Sequence, residues 1–119
     1  MNHQIPDIIA EHIRAVNAFD TEAIVRTFAP SALVNDNRRE IVGTEAIRRW
    51  VTKEIVGDRV TMELLEAIDH HGDTIVRARY DGLFDKTKLP PELILSNYFI
   101  VRDDRITSLI VVFNQPSPY

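Results

Sequence analysis

The sequence predicts an α+β domain with the element order α-α-β-α-β-β-β-β. Three observations carry this. Apolar residues recur at helical spacing through most of the first half. They alternate at two-residue spacing through the second half. Short polar turns, not crossover helices, join the later strands, which argues against a parallel sheet of βαβ units. The chain has 119 residues, the size of one domain, so a single unit spanning 1–119 is expected.

The first helix is expected from Pro6 to Ala18. Ile8, Ile9, Ala10, Ile13, Val16 and Ala18 form its apolar stripe, and Pro6 suits a first turn. Asp20 or Thr21 can cap a second helix carrying Ile24, Val25 and Phe28, which Pro30-Ser31 would end. Ala32 to Asn35 is β-prone, Asp36-Asn37-Arg38-Arg39 breaks it, and Ile41-Val42 resumes it. After a turn at Gly43, Thr44 is expected to cap a third helix. Ile47, Trp50, Val51, Glu54 and Ile55 continue that helix until Gly57 stops it.

Strands follow. Val60 to Ile68 is apolar and partly alternating, and His70-His71-Gly72-Asp73 reads as a turn. From Thr74 to Phe84, Thr74, Val76, Ala78, Tyr80, Gly82 and Phe84 share one face. Gly82 is expected to mark a bulge or bend. Asp85 to Pro91 is a polar loop, Leu93 to Val101 a strand, Arg102 to Arg105 a tight turn and Ile106 to Phe113 the last strand. The tail from Gln115 is expected to be loose.

Composition excludes several function classes. The net charge is −4, and no basic cluster exists to displace counterions from nucleic acid. There is no cysteine, hence no disulfide, zinc thiolate or cysteine nucleophile. No run approaches the length of a membrane span, and the acid-bearing N-terminus is unlike a secretory signal, so a cytoplasmic protein without membrane contact is expected. No phosphate-binding loop, dinucleotide fingerprint or nucleophile elbow occurs, and no cofactor is expected. The His70-His71 pair, near Asp69 and Asp73, reads as a solvated hairpin and not a metal site.

Two segments carry a resemblance: AVNAFDTEAIVRTFAPSALVNDN (Ala15 to Asn37) and REIVGTEAIRRWV (Arg39 to Val51). Helix, short N-A-x-D linker, helix ending in F-A-x-x-A, acid-bearing strand and helix-opening G-x-x-A-I together resemble the nuclear-transport-factor-like superfamily. The nearest relatives look like the ketosteroid isomerases and SnoaL-like polyketide cyclases. The resemblance implies a cone in which three N-terminal helices pack on a strongly curved, mixed, mostly antiparallel sheet. It places the isomerase base on Asp36. His12 stands where those isomerases have an oxyanion-hole tyrosine, and Asn97 where they have a protonated aspartate. Both positions depart from the pattern, although His and Asn can also donate hydrogen bonds.

The residues themselves leave alternatives open. Asp36 is either a base desolvated in an apolar cavity or part of a turn, since Asn-Asp-Asn is strong turn chemistry. His12, on an apolar stripe, is either a satisfied core residue, a donor to a substrate oxygen or a partner of Asp36. Asn97, between Leu95 and Phe99, needs a partner: a ligand carbonyl, a water or Tyr80. Asn114 follows the same logic near the chain end. Trp50, Tyr80, Phe84 and Phe99 are core aromatics, some of which should line the cavity; Trp50 and Tyr80 carry polar handles.

The expected function is binding of a small apolar molecule, with cofactor-independent isomerisation, cyclisation or hydrolysis driven by Asp36. The alternative is a non-catalytic binding or dimerisation module. Leu83, Ile94, Tyr98, Ile100, Leu109 and Val111 are expected on the faces opposite the pocket, covered by a second copy in a homodimer.

Overall fold

The computed structural model describes residues 5–70 and 72–113, His70 through its backbone alone. Asn114, the tail and His71 lie outside the described residues. Helix α1 (Asp7–Asn17) and helix α2 (Thr21–Arg26) precede strand β1 (Phe28–Asp36) and strand β2 (Arg39–Val42). Helix α3 (Thr44–Trp50) then continues as a π-helical segment (Val51–Val56). Strands β3 (Thr61–His70), β4 (Asp73–Asp81), β5 (Leu93–Arg102) and β6 (Arg105–Phe113) complete one six-stranded sheet in the order β2-β1-β6-β5-β4-β3. Only β1–β6 is parallel; the other pairs are antiparallel. The helices cover one face, and the open sheet, bent at register shifts in three pairings, forms the wall of the expected cone.

The N-A-x-D linker has a physical explanation. The Asn17 side chain pairs with both backbone groups of Met62, donating to its carbonyl at 3.0 Å and accepting from its N–H at 2.7 Å. Phe19 turns the chain with φ 57°. Asp20 then caps α2, accepting from Ala23 N–H at 3.1 Å. Two helices are thereby tied to β3 through four residues.

Several boundaries differ from the sequence reading. Helix α2 stops at Arg26, short of Pro30, because Phe28 pairs with Ile106 and Ile106 N–H donates to the Thr27 carbonyl at 2.9 Å. Long-range strand pairing overrides local helical spacing. The β1–β6 register shifts between Phe28 and Leu33, around Pro30, which has no N–H to give the ladder. Gly43 (φ 86°), not Thr44, is the N-cap of α3. Strand β4 ends at Asp81, so Gly82 and Phe84 lie beyond it. Gly82 is needed there for close approach: Leu83 N–H donates to the Asp58 carbonyl at 2.6 Å, and a Cβ on Gly82 would sit 2.8 Å from that oxygen.

The outer-face assignment of Leu109 and Val111 is corrected. Both alternations of β6 are apolar, so the pattern alone is ambiguous. Val111 pairs with Asn97 and Leu109 with Phe99, on the helix-covered face. Thr107 is an extra residue opposite β5, which lets Ile106 and Leu109 both point inward. Leu83 sits in the loop after β4, 76% exposed, and not on the sheet.

Asp36 and Arg39 face each other across the β1–β2 hairpin. Asn37 and Arg38 form its two-residue turn with φ 52° and 74°, the mirror-image geometry that matches strand twist. Asn tolerates this conformation; Arg does so at a cost. Replacing Arg38 with Gly is expected to stabilise the protein by about 1 kcal/mol and raise its melting temperature by roughly 3–6 °C. Calorimetry showing a fall would contradict this turn.

Candidate functional site

Between the helices and the inner sheet face lies a cavity of about 190 Å³. Apolar side chains from every layer wall it: Val16 and Ile24 from α1 and α2, Leu95 from β5, and Leu109 and Val111 from β6. Its polar atoms come from His12, Asp36, Trp50, Glu54, Asp58 and Tyr80.

Asp36 ends β1, and its side chain is 24% exposed. Its Oδ2 accepts from Trp50 Nε1–H at 3.1 Å and from Arg39 at 2.7 Å. Oδ1 makes no hydrogen bond among the described residues. Asp36 is therefore both turn-adjacent and cavity-lining. Arg39 also grips Glu54 with both terminal nitrogens, at 2.7 and 2.9 Å. The Glu54 bond, followed by the Asp36 bond, raises the Arg39 pKa, and the same Arg39 bond lowers that of Glu54. One half-exposed guanidinium thus joins two carboxylates at the cavity mouth.

His12 is buried on α1. Its Nδ1 lies 3.0 Å from Thr27 Oγ1, and its ring is held edge-on by Phe28 and Phe99 at 5.4 and 5.6 Å. Burial pushes its pKa down to about 4, so the imidazole is neutral at pH 7.

Asn97 is fully buried on β5 and is not part of the cavity lining. Its amide donates to the carbonyls of Val76 and Leu95 at 3.2 and 3.3 Å, and its oxygen accepts from Tyr80 O–H at 2.6 Å. Tyr80, the partner foreseen among three, lines the cavity in its place. Burial raises the Tyr80 pKa far above that of free tyrosine. Trp50 and Phe84 line the cavity, whereas Phe99 is core packed on His12. Asn114 lies outside the described residues.

Sequence reading missed Arg39, Glu54 and Asp58 as site residues. A signal existed for Glu54: a carboxylate on the apolar stripe of α3. The π-helical segment widens the turn, with Gly57 N–H donating to the Thr52 carbonyl at 3.0 Å. Trp50, Glu54 and Asp58, at four-residue spacing, all line the cavity.

The SnoaL-like domain family matches residues 9–109. The chain belongs to the SnoaL-like domain family. A candidate polyketide cyclase from Sinorhizobium meliloti shares 30% identity with this SnoaL-like domain, covering 91% of this chain and 95% of that one, with a TM-score of 0.80. The epoxide hydrolase/cyclase-like enzyme SalBIII of salinomycin pyran ring formation is 23% identical, covering 91% and 88%, with a TM-score of 0.79. A Mycobacterium tuberculosis protein in complex with estradiol-17β-hemisuccinate is 19% identical, covering 93% and 95%, also with a TM-score of 0.79. The last two likenesses bear on the fold. No curated protein sequence matches the chain. No helix among the described residues is long and apolar enough to cross a membrane, and no cluster of described His, Asp or Glu could hold a metal ion.

The low His12 pKa links stability to pH. His12 binds its proton near pH 6.5 when unfolded and near 4 when folded. Between those values the unfolded state holds more protons, so this contribution is complete above pH 6.5 and fades as pH falls towards 4. Urea titrations are expected to show a loss approaching 3 kcal/mol from pH 7 to pH 4 beyond that of His12→Phe. Parallel pH profiles for the two proteins would contradict it.

Proposed function

We propose that this SnoaL-like domain binds a small apolar molecule in the cavity and transforms it without a cofactor, with Asp36 as the base. One observation carries the proposal: Asp36 Oδ1 has no partner among the described residues, at an apolar cavity, while Trp50 and Arg39 hold Oδ2 in place. A carboxylate anchored through one oxygen can take a proton with the other. Trp50 and Arg39 are its positioning residues.

The size of the cavity suits a one-ring molecule, or part of a larger one protruding through the mouth. The polyketide cyclase and epoxide hydrolase/cyclase-like relatives favour cyclisation or epoxide opening over steroid isomerisation. The Mycobacterium tuberculosis protein of the same fold is in complex with estradiol-17β-hemisuccinate, which supports this fold as a binder of small molecules.

The outer sheet face supports a second reading, a homodimer. Tyr98 and Val112 are exposed there, and a shallow apolar groove runs past Ile75, Ile100 and Ile110. A sheet with both faces apolar is best covered by its own copy in a two-fold pairing of like strands.

Two measurements test these readings. Replacing Asp36 with Asn is expected to lower kcat roughly 100- to 10,000-fold on whichever hydroxyl-bearing ketone or epoxide of a panel the wild type turns over. Unchanged turnover removes Asp36 from the mechanism, and no turnover by the wild type leaves a binding module. Sedimentation at micromolar concentration is expected to give a dimer; a monomer overturns the homodimer.

A further inference from the structure

Hydrogen-bond direction inside the cavity can be traced atom by atom. Thr27 Oγ1 donates its single proton to the Ile24 carbonyl at 2.6 Å. At its 3.0 Å contact with His12 it can therefore only accept, so the imidazole proton sits on Nδ1. His12 Nε2 is left as a bare lone pair, without a partner among the described residues.

Asn97 fixes Tyr80 in the same way. The Asn97 amide nitrogen faces the carbonyls of Val76 and Leu95. The opposite amide orientation would set its oxygen against two carbonyl oxygens. Oδ1 therefore accepts, and the 2.6 Å bond from Tyr80 uses the only phenolic proton. What Tyr80 can still offer a ligand is a lone pair. Trp50 N–H is likewise committed to Asp36. Glu54 and Asp58 add carboxylate oxygens.

We propose that the cavity is a hydrogen-bond acceptor site, built for an apolar ligand whose polar head is a donor, a hydroxyl or an ammonium group. This rests on the reading of the cavity as a ligand site and narrows its ligand class. His12 and Asn97 supply no donor to an oxygen that gains charge, because the His12 proton is turned away from the cavity and both Asn97 protons are held by the backbone. A ketone carbonyl beside His12, Trp50 or Tyr80 would meet lone pairs or donors already spent on the protein. Placing the donor of an alcohol against the same atoms satisfies them.

The test uses three molecules of one skeleton: 1-phenylethanol, 1-phenylethylamine and acetophenone. Binding to the full chain is followed at the indole N–H resonance of Trp50, the one tryptophan in the sequence. The alcohol or the amine is expected to bind at least about tenfold more tightly than the ketone. Alcohol ahead of amine identifies a neutral hydroxyl head; the reverse order identifies a cationic head recognised by the carboxylates. Tyr80→Phe is expected to narrow the preference over the ketone. Equal or tighter ketone binding overturns the proposal and leaves the ligand site standing. Long-range proton–nitrogen correlation of the His12 ring gives a ligand-free readout: the Nδ1–H tautomer is expected, and the Nε2–H tautomer overturns the proposal. If none of the three binds, the ligand-site reading falls, and the tautomer still decides the direction of the bonds.

Discussion

The parallel pairing of β1 with β6 is the constraint on which the rest of the structure depends. It joins a strand from the first third of the chain to the last strand, with the third helix and four strands between them in sequence. Through it Asp36 pairs with Val111, and Val111 with Asn97 across β5. These residues form one row across the sheet, with Asp36 and Asn97 about 10 Å apart at standard strand spacing. The pairing also ends α2, since Thr27 must offer its carbonyl to Ile106. Thr27 is then placed to accept from His12, which links the strand pairing to the state of a cavity group.

Cavity chemistry follows from how its polar groups are satisfied by the scaffold. A buried donor without a partner is costly, and here the donors are spent on protein atoms. Tyr80 donates to Asn97, Trp50 to Asp36, and Arg39 to Asp36 and Glu54. The same bonds that stabilise the fold therefore leave acceptors facing inward. In this SnoaL-like domain, the positions where ketosteroid isomerases carry donors hold a histidine whose proton is directed into the protein and an asparagine beneath a tyrosine. Fold and chemistry are separable at this level.

Much of this was legible in the chain. Apolar periodicity located the three helices and the later strands, and the VNDN segment carried the acid that the structure places at the cavity. The F-A-x-x-A and G-x-x-A-I words marked the family that the comparison shows. Less legible was β6, whose two faces are equally apolar, so that only pairing with Asn97 and the extra residue Thr107 decide which side points inward. Arg39 was legible only as one half of an Arg pair. Its role comes from the hairpin register that sets it opposite Asp36.

The amino-acid sequence by itself determined the fold class, the apolar character of the interior and the presence of an acid beside a turn, and the resemblance of its motifs pointed to the family. Fold class, apolar interior and turn follow from local propensity and spacing, which act between residues a few positions apart. Only the tertiary structure decided that Asn97 lies behind Tyr80, that Glu54 and Asp58 line the cavity, and which atoms remain free to meet a ligand. A hydrogen bond has a direction as well as a length. That direction is set by what the other end of each group already binds, and those partners come from strands and helices far apart in the chain.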